Sequence, residues 1–223
     1  DVNSAEENST QNEVKVSFEV TVNELPEGIY EKQLRNTAML NKVPENPEFP
    51  EEPTNEVETE VKKADIIFRK ESVPEAGNKV KAGDEITYKI NLINIGTLYS
   101  LAKIKDEIPV GTTFVEGSIK VDDKSSYELN GETIDLSTKT ANDLKEGIEV
   151  KVPEAEGKLA GAVELSFKVK VQDIENNAVI KNVANVNKDT ENPDSPDEPT
   201  NEVEHIYVEP IITGRKEVEG RKT

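Results

Sequence analysis

The chain has 223 residues, with 46 Asp and Glu against 27 Lys and Arg, a formal net charge of −19, 34% hydrophobic residues and 4% aromatic ones. No run approaches the ~18 consecutive apolar residues that a membrane helix needs, and the opening Asp1-Val2-Asn3 has neither the basic nor the apolar region of a signal peptide. Acidic charge with singly scattered lysines and arginines argues against nucleic-acid binding, the absence of cysteine removes disulfides, thiol catalysis and cysteine-bound zinc, and a lone histidine, His205, leaves no multi-histidine metal centre.

In chain order, residues 16–22 (VSFEVTV) are the first patterned stretch, followed by residues 36–58, in which Pro44, Pro47, Pro50 and Pro53 stand three apart. That spacing puts every ring on one edge of a polyproline II helix, and Glu51 and Glu52 add self-repulsion, so a stiff extended segment is expected. Next, Ile66, Phe68 and Lys70 share one face of a strand while Ile67 and Arg69 take the other. Ile86, Tyr88, Ile90 and Leu92 alternate with Thr87, Lys89 and Asn91, the period of a half-buried strand. Ala102, Ile104 and Asp106 share a face against Lys103 and Lys105, and Asn130-Gly131 between SSYEL and ETIDL has the signature of a tight hairpin. Leu165, Phe167, Val169 and Val171 alternate with Ser166, Lys168 and Lys170. Ile180, Asn182, Ala184 and Val186 oppose Lys181, Asn185 and Asn187, and Pro193, Pro196 and Pro199 repeat the proline spacing. No segment offers a helical stripe of ten residues. The pattern predicts an all-β, immunoglobulin-like antiparallel β-sandwich with a core of Val, Ile and Leu.

The chain also repeats itself. Residues 36–58 lie over residues 182–204 without a gap, 146 positions apart, with 15 of 23 residues identical. Residues 16–22 match residues 165–171 once three extra loop residues are allowed in the first copy, and residues 211–217 fall on residues 65–71 at the same 146-residue shift. The expected organisation is residues 1–60 as the end of one β-sandwich repeat with its proline-rich acidic close, 61–204 as a complete repeat, and 205–223 as the first strand of another. The parent protein is then expected to be a longer tandem array.

Alternation turns three polar residues toward the apolar interior: Lys70, Asp106 and Asn182. Burying any one alone is costly, so they are expected to meet. Desolvation lowers a lysine pKa and raises that of an aspartic acid, giving a neutral amine beside a protonated carboxyl. The amine is a nucleophile and the acid polarises the asparagine carboxamide for attack, so the expected product is a Lys–Asn isopeptide bond with loss of ammonia. Asn36 and Lys216 occupy the positions of Asn182 and Lys70 in the partial copies. Asn185 takes the role of Asn182 if the strand phase shifts by one, and Glu71 beside Lys70 is a second acid.

The run VKAGDEITYKINLINIGT, then AKIKDEIPVGTTFVEGSI, IKNVANV and the closing TNEVE resemble the isopeptide-forming repeat domains of Gram-positive surface proteins and fimbriae, related to collagen-adhesin stalk domains. The pieces that carry the likeness are Gly83-Asp84, Asn94-x-Gly96, Asp106-x-x-Pro109-x-Gly111 and Asn182-x-Ala184. The resemblance implies lysine from the first strand, acid from a middle strand and asparagine from the last, here Lys70, Asp106 and Asn182. It further implies a structural stalk or spacer on the bacterial cell surface, attached to the wall through its parent protein. Its partners would be neighbouring repeats of the same chain, and host surface molecules reached through other domains, with no cofactor, nucleic acid or membrane insertion. Two other functions compete. A ligand-binding adhesin domain needs an aromatic cluster or groove, and Tyr88 and Tyr99 are isolated in sequence. A calcium-stabilised spacer would use Asp189, Glu191, Asp194, Asp197 and Glu198, oxygen ligands in a stretch that lacks a loop-closing glycine. Enzymatic action on an external substrate is disfavoured, because no Ser/His/Asp set can assemble around one histidine at a repeat boundary.

Overall fold

The computed structural model describes residues 15–43, 45–46, 48–209 and 214–215. Short strands come first: β1 (Glu31–Asn36), β2 (Met39–Leu40), β3 (Glu52–Pro53) and β4 (Val57–Lys62). The body follows as β5 (Ile66–Val73), β6 (Lys79–Val80), β7 (Glu85–Asn94), β8 (Ser100–Asp106), β9 (Thr112–Phe114), β10 (Lys120–Val121), β11 (Ser126–Leu129) and β12 (Glu132–Asp135). A single-turn helix, α1 (Ala141–Glu146), leads to β13 (Ile148–Val152), β14 (Gly161–Val171), β15 (Val179–Asn182), β16 (Ala184–Asn187), β17 (Asp197–Pro199) and β18 (Val203–Tyr207). The architecture is the expected all-β sandwich with antiparallel sheets.

One sheet has the order β10-β14-β7-β5, with β9 also on β14. Its long strands are the ones whose alternation was strongest in the sequence: Ile86, Tyr88, Ile90 and Leu92 of β7 and Leu165, Phe167 and Val169 of β14 are wholly buried. β-Branched and aromatic residues on one side of a pleat favour this state, and each fully buried side chain stabilises it by about 1.5–3 kcal/mol. Facing them are two ladders, β13-β8-β16-β17 and β15-β18-β6, which contribute Ala102, Ile104, Val150, Ile180, Ala184, Val186, Val203 and Tyr207 to the same core. β18 runs past the boundary expected at Glu204: His205 and Tyr207 are buried, and Tyr207 pairs with Val80. These residues therefore pack in the unit that the repeat register would have ended before them.

The proline-rich stretches differ from the expected extended spacers. Residues 188–196 turn the chain back, so that β17 pairs with β16 as Asn185↔Pro199, Val186↔Glu198 and Asn187↔Asp197. The turn is held by Asx-type bonds, Asn187 Oδ1 accepting from Asp189 N and Asn192 Oδ1 from Asp194 N, at 3.0 Å each. Proline is tolerated because β17 is an edge strand with no further ladder to feed.

The first copy repeats this pairing. β2 and β3 pair as Met39↔Pro53 and Leu40↔Glu52, and β1 and β4 pair Asn36 with Val57, as β15 and β18 pair Asn182 with Val203, every partner displaced by 146 residues. Residues 16–22, the match of β14, form no strand, and Val16, Phe18 and Val20 are exposed. β7 pairs along β14, and no counterpart of β7 stands beside residues 16–22 among the described residues.

Candidate functional site

The three polar residues that alternation turns inward meet between the sheets. Lys70, Asp106 and Asn182 are 1%, 2% and 4% exposed, respectively. Lys70 comes from the middle of β5, the edge strand of its sheet; Asp106 ends β8 and Asn182 ends β15 on the opposite side. Asp106 is the register partner of Ala184, two residues past Asn182, which sets carboxyl and carboxamide side by side. The lysine stem crosses the core with Nζ 5.0 Å from the Tyr88 ring centre and 5.7 Å from that of Phe167, and Nζ bonds Asp106 Oδ2.

Burial dominates the electrostatics of this group. It lowers the Lys70 amine below the ordinary lysine value, against the opposing pull of Asp106. It pushes the Asp106 carboxyl up to about 6, against the opposing effects of Lys70 and Asn182. Both shifts favour neutral amine and carboxylic acid over the ion pair. Asn182 is near enough to influence Asp106, yet Asn182 Nδ2 and Asp106 Oδ1 are both buried without a hydrogen bond of acceptable geometry. A buried amide and a carboxyl oxygen left unpaired cost free energy, and a covalent bond from Lys70 to Asn182 would remove one of them with the departing ammonia.

The alternatives in the sequence fall outside this group. Glu71 and Asn185 are exposed, Asn185 lying opposite Lys105 and Pro199. Asn36 is exposed on β1, and Lys216 lies outside the described residues. Three of the five acids weighed as calcium ligands are engaged locally: Asp197 with Lys105 at 2.6 Å, Glu198 with Lys188 at 2.7 Å, and Asp189 Oδ1 with the Glu191 amide at 3.1 Å. Among the described residues no three histidine or acidic side chains are placed to hold a metal ion. His205 is buried against Ser72 and the Pro74 carbonyl. Alternation could not flag Asn201, which lies between strands and bonds the Lys70 backbone. Its counterpart Asn55 in the TNEVE repeat was the available signal.

Against known proteins, the chain matches no family model and no curated protein. Solved structures similar to it include BcpA, the major pilin subunit of Bacillus cereus, at 14% identity and TM-score 0.44 over 64% of this chain and 40% of that one. Another is the full-length major pilin SpaD from Corynebacterium diphtheriae, at 19% identity and TM-score 0.39 over 62% of this chain and 35% of that one. A third is the collagen adhesin CNA from S. aureus, at 13% identity and TM-score 0.36 over 68% of this chain and 52% of that one. The neighbours are pilin and adhesin structures. The chain spans about half the length of these proteins or less.

Proposed function

We propose that this chain is a stalk or spacer module of a bacterial surface adhesin or pilus-like protein, stiffened by an isopeptide bond that it forms on itself between Lys70 and Asn182. The observation that carries the reading is the burial of lysine, aspartate and asparagine together in an otherwise apolar core. Neutral Lys70 Nζ attacks Asn182 Cγ while the Asp106 carboxyl hydrogen-bonds the carboxamide oxygen. The Cγ–Nδ2 bond breaks, Asp106 relays a proton from the lysine nitrogen to the leaving group, and ammonia departs. Reactant and product balance as amine plus amide giving substituted amide plus ammonia. The reaction happens once per molecule, so Asp106 assists a cross-link rather than a turnover cycle.

On this reading residues 61–204, with β18 extending them to Tyr207, are one unit of an array, flanked by parts of its neighbours. Its place is outside the cell, in a wall-attached parent protein, and its partners are adjoining repeats and, through other domains, host surface molecules. The test is the intact mass of the folded chain with mapping of its peptides. The mass is expected to fall one ammonia short of the sequence, with a branched peptide joining Lys70 and Asn182. Full sequence mass in folded protein rules the cross-link out.

A further inference from the structure

The repeated TNEVE motif does more than close the last strand. Among the described residues β5 is bonded on one side only, Lys70 facing Ile90 of β7, and its other edge meets no strand. At Lys70 that open edge is taken by the Asn201 side chain. Lys70 N donates to Asn201 Oδ1 and Asn201 Nδ2 donates to Lys70 O, both at 2.9 Å. The two bonds copy the reciprocal pair that a neighbouring antiparallel strand would supply. Among the described residues, no other β5 backbone group is bonded by a side chain from elsewhere in the fold.

The segment bearing Asn201 also pairs with Asn182 and with the residue opposite Asp106. Thr200 N donates to Ala184 O at 2.8 Å and Ala184 N donates to Thr200 Oγ1 at 3.1 Å, fixing the residue that lies opposite Asp106. Thr200 Oγ1 donates to the Asn201 carbonyl at 3.0 Å, and Val203 is the register partner of Asn182. Thr200, Asn201 and Val203, within four consecutive residues, therefore gauge Lys70, Asp106 and Asn182 against one another. The first copy builds the same turn: Thr54 N on Ala38 O at 2.8 Å, Ala38 N on Thr54 Oγ1 at 3.0 Å, Thr54 Oγ1 on the Asn55 carbonyl at 3.1 Å, with Val57 opposite Asn36.

We infer that Asn201 is a positioning residue for the cross-link, holding the Lys70 backbone so that its side chain reaches across the core at the height of Asp106 and Asn182. The inference rests on the isopeptide reading above. An edge strand held by one ladder can slide and twist at its free side, and attack on an amide needs the nitrogen within about 3–3.5 Å of the carbon along the right direction. A clamp at the lysine itself removes that freedom where it matters. Asn201 touches no reacting atom, so its effect is on rate through placement.

The experiment follows ammonia loss in the full chain. Protein is made by cell-free synthesis, quenched in acid at intervals, and weighed intact, for wild type, Asn201→Ala and Asn201→Asp. The aspartate keeps an acceptor for Lys70 N but sets a second oxygen against Lys70 O. The thermal midpoint of each Asn201 substitution is measured separately beside Asp106→Ala, where no cross-link can form, and the rates are compared at a temperature at which all variants are folded. The expected result is ammonia loss slowed at least about tenfold in Asn201→Ala, with slowing in Asn201→Asp as well, as a misplacement of the nucleophile predicts. Equal rates in folded protein, with only the midpoint lowered, overturn the positioning role and leave a structural one. If Asn201→Ala does not fold, Asn201→Asp decides by the same comparison. Full mass in wild type overturns the cross-link and this inference together, whereas fast ammonia loss in every variant overturns this inference alone.

Discussion

At the scale of single residues, the proposed cross-linking reaction is governed by proton count. The ion pair of Lys70 and Asp106 and the neutral pair hold the same number of protons, so interconverting them costs no change with pH. The cross-linking rate should therefore be level through the neutral range. Asp106 is raised to about 6, so acid protonates the carboxylate of the ion pair near that pH, the lysine then has no base to take its proton, and the rate falls. At alkaline pH the pair loses its remaining shared proton, no acid is left to polarise the carboxamide, and the rate falls again. Rates of ammonia loss in cell-free product across pH check both limbs, and a rate rising steadily with pH would mean that amine deprotonation alone controls the step. Substitutions separate the bond from the burial. Asn182→Ala removes the cross-link but keeps Lys70 and Asp106 paired, and losing a tie across 111 intervening residues costs about 4–5 kcal/mol in the loop-entropy account. Asp106→Ala loses the bond and also leaves a buried amine without its partner. The melting order is expected to be wild type, then Asn182→Ala, then Asp106→Ala, read by calorimetry on protein whose cross-link state has been weighed. Alternation with period two was enough to place these three residues, because each strand has one apolar face that any polar intruder interrupts. It could not see Asn201, whose bond to the Lys70 backbone spans 131 residues of sequence and belongs to a loop.

At the scale of elements, backbone packing sets what the strands tolerate. Gly161 opens β14, and a Cβ there would overlap the Pro153 carbonyl oxygen. A Cβ at Gly96 would likewise overlap the Lys63 carbonyl oxygen, in the loop where Thr97 N donates to Lys63 O and Ile95 N to Asp65 O, each at 2.9 Å. Alanine at 161 must push backbone apart at the start of the longest strand and should cost about 1–3 kcal/mol or more in urea unfolding. Alanine at 96 should instead loosen the joint between β4 and β5 while sparing the core, so hydrogen exchange is expected to quicken at residues 63–65 and to stay slow in β7 and β14. Unchanged exchange at 63–65 would show that the loop does not hold the joint. Sequence pattern was most legible in these long strands and at Asn130-Gly131, where both residues take the left-handed conformation that the hairpin turn requires, with φ of 51° and 83°. It was least legible where pairing overrode spacing. The proline ladder matched an extended helix until β17 paired with β16, a contact that residue spacing does not encode. α1 has only six residues, too few for periodicity, although its capping box of Thr140 and Asp143 was a local sign.

At the scale of the whole molecule, the proposed Lys70–Asn182 bond would determine which residues can lengthen under load. Force applied along the chain enters at β5 and leaves at β18, elements of opposite sheets joined through side-chain packing and the Asn201 clamp. Hydrogen bonds and packing alone would part, and the strands between would unravel. With Lys70 joined to Asn182, tension passes from the start of β5 through the side chains into β15, so the 111 residues between them carry none of it. What remains free is β5 ahead of Lys70, held by its ladder to β7, and the segment after Asn182, held by the β16–β17 hairpin, the β15–β18 ladder and the parallel pairing of β18 with β6. Those 29 residues, 66–69 and 183–207, can lengthen by no more than about 105 Å at the extended reach of a chain. Without the bond, the intervening residues add roughly 370–400 Å on the same scale. Single-molecule pulling on the complete unit between handles at residues 61 and 209 should therefore give only the short step in wild type and the long one in Asn182→Ala. A long step in protein whose mass shows the cross-link would break the mechanical reading, because load would then be reaching strands that the bond encloses.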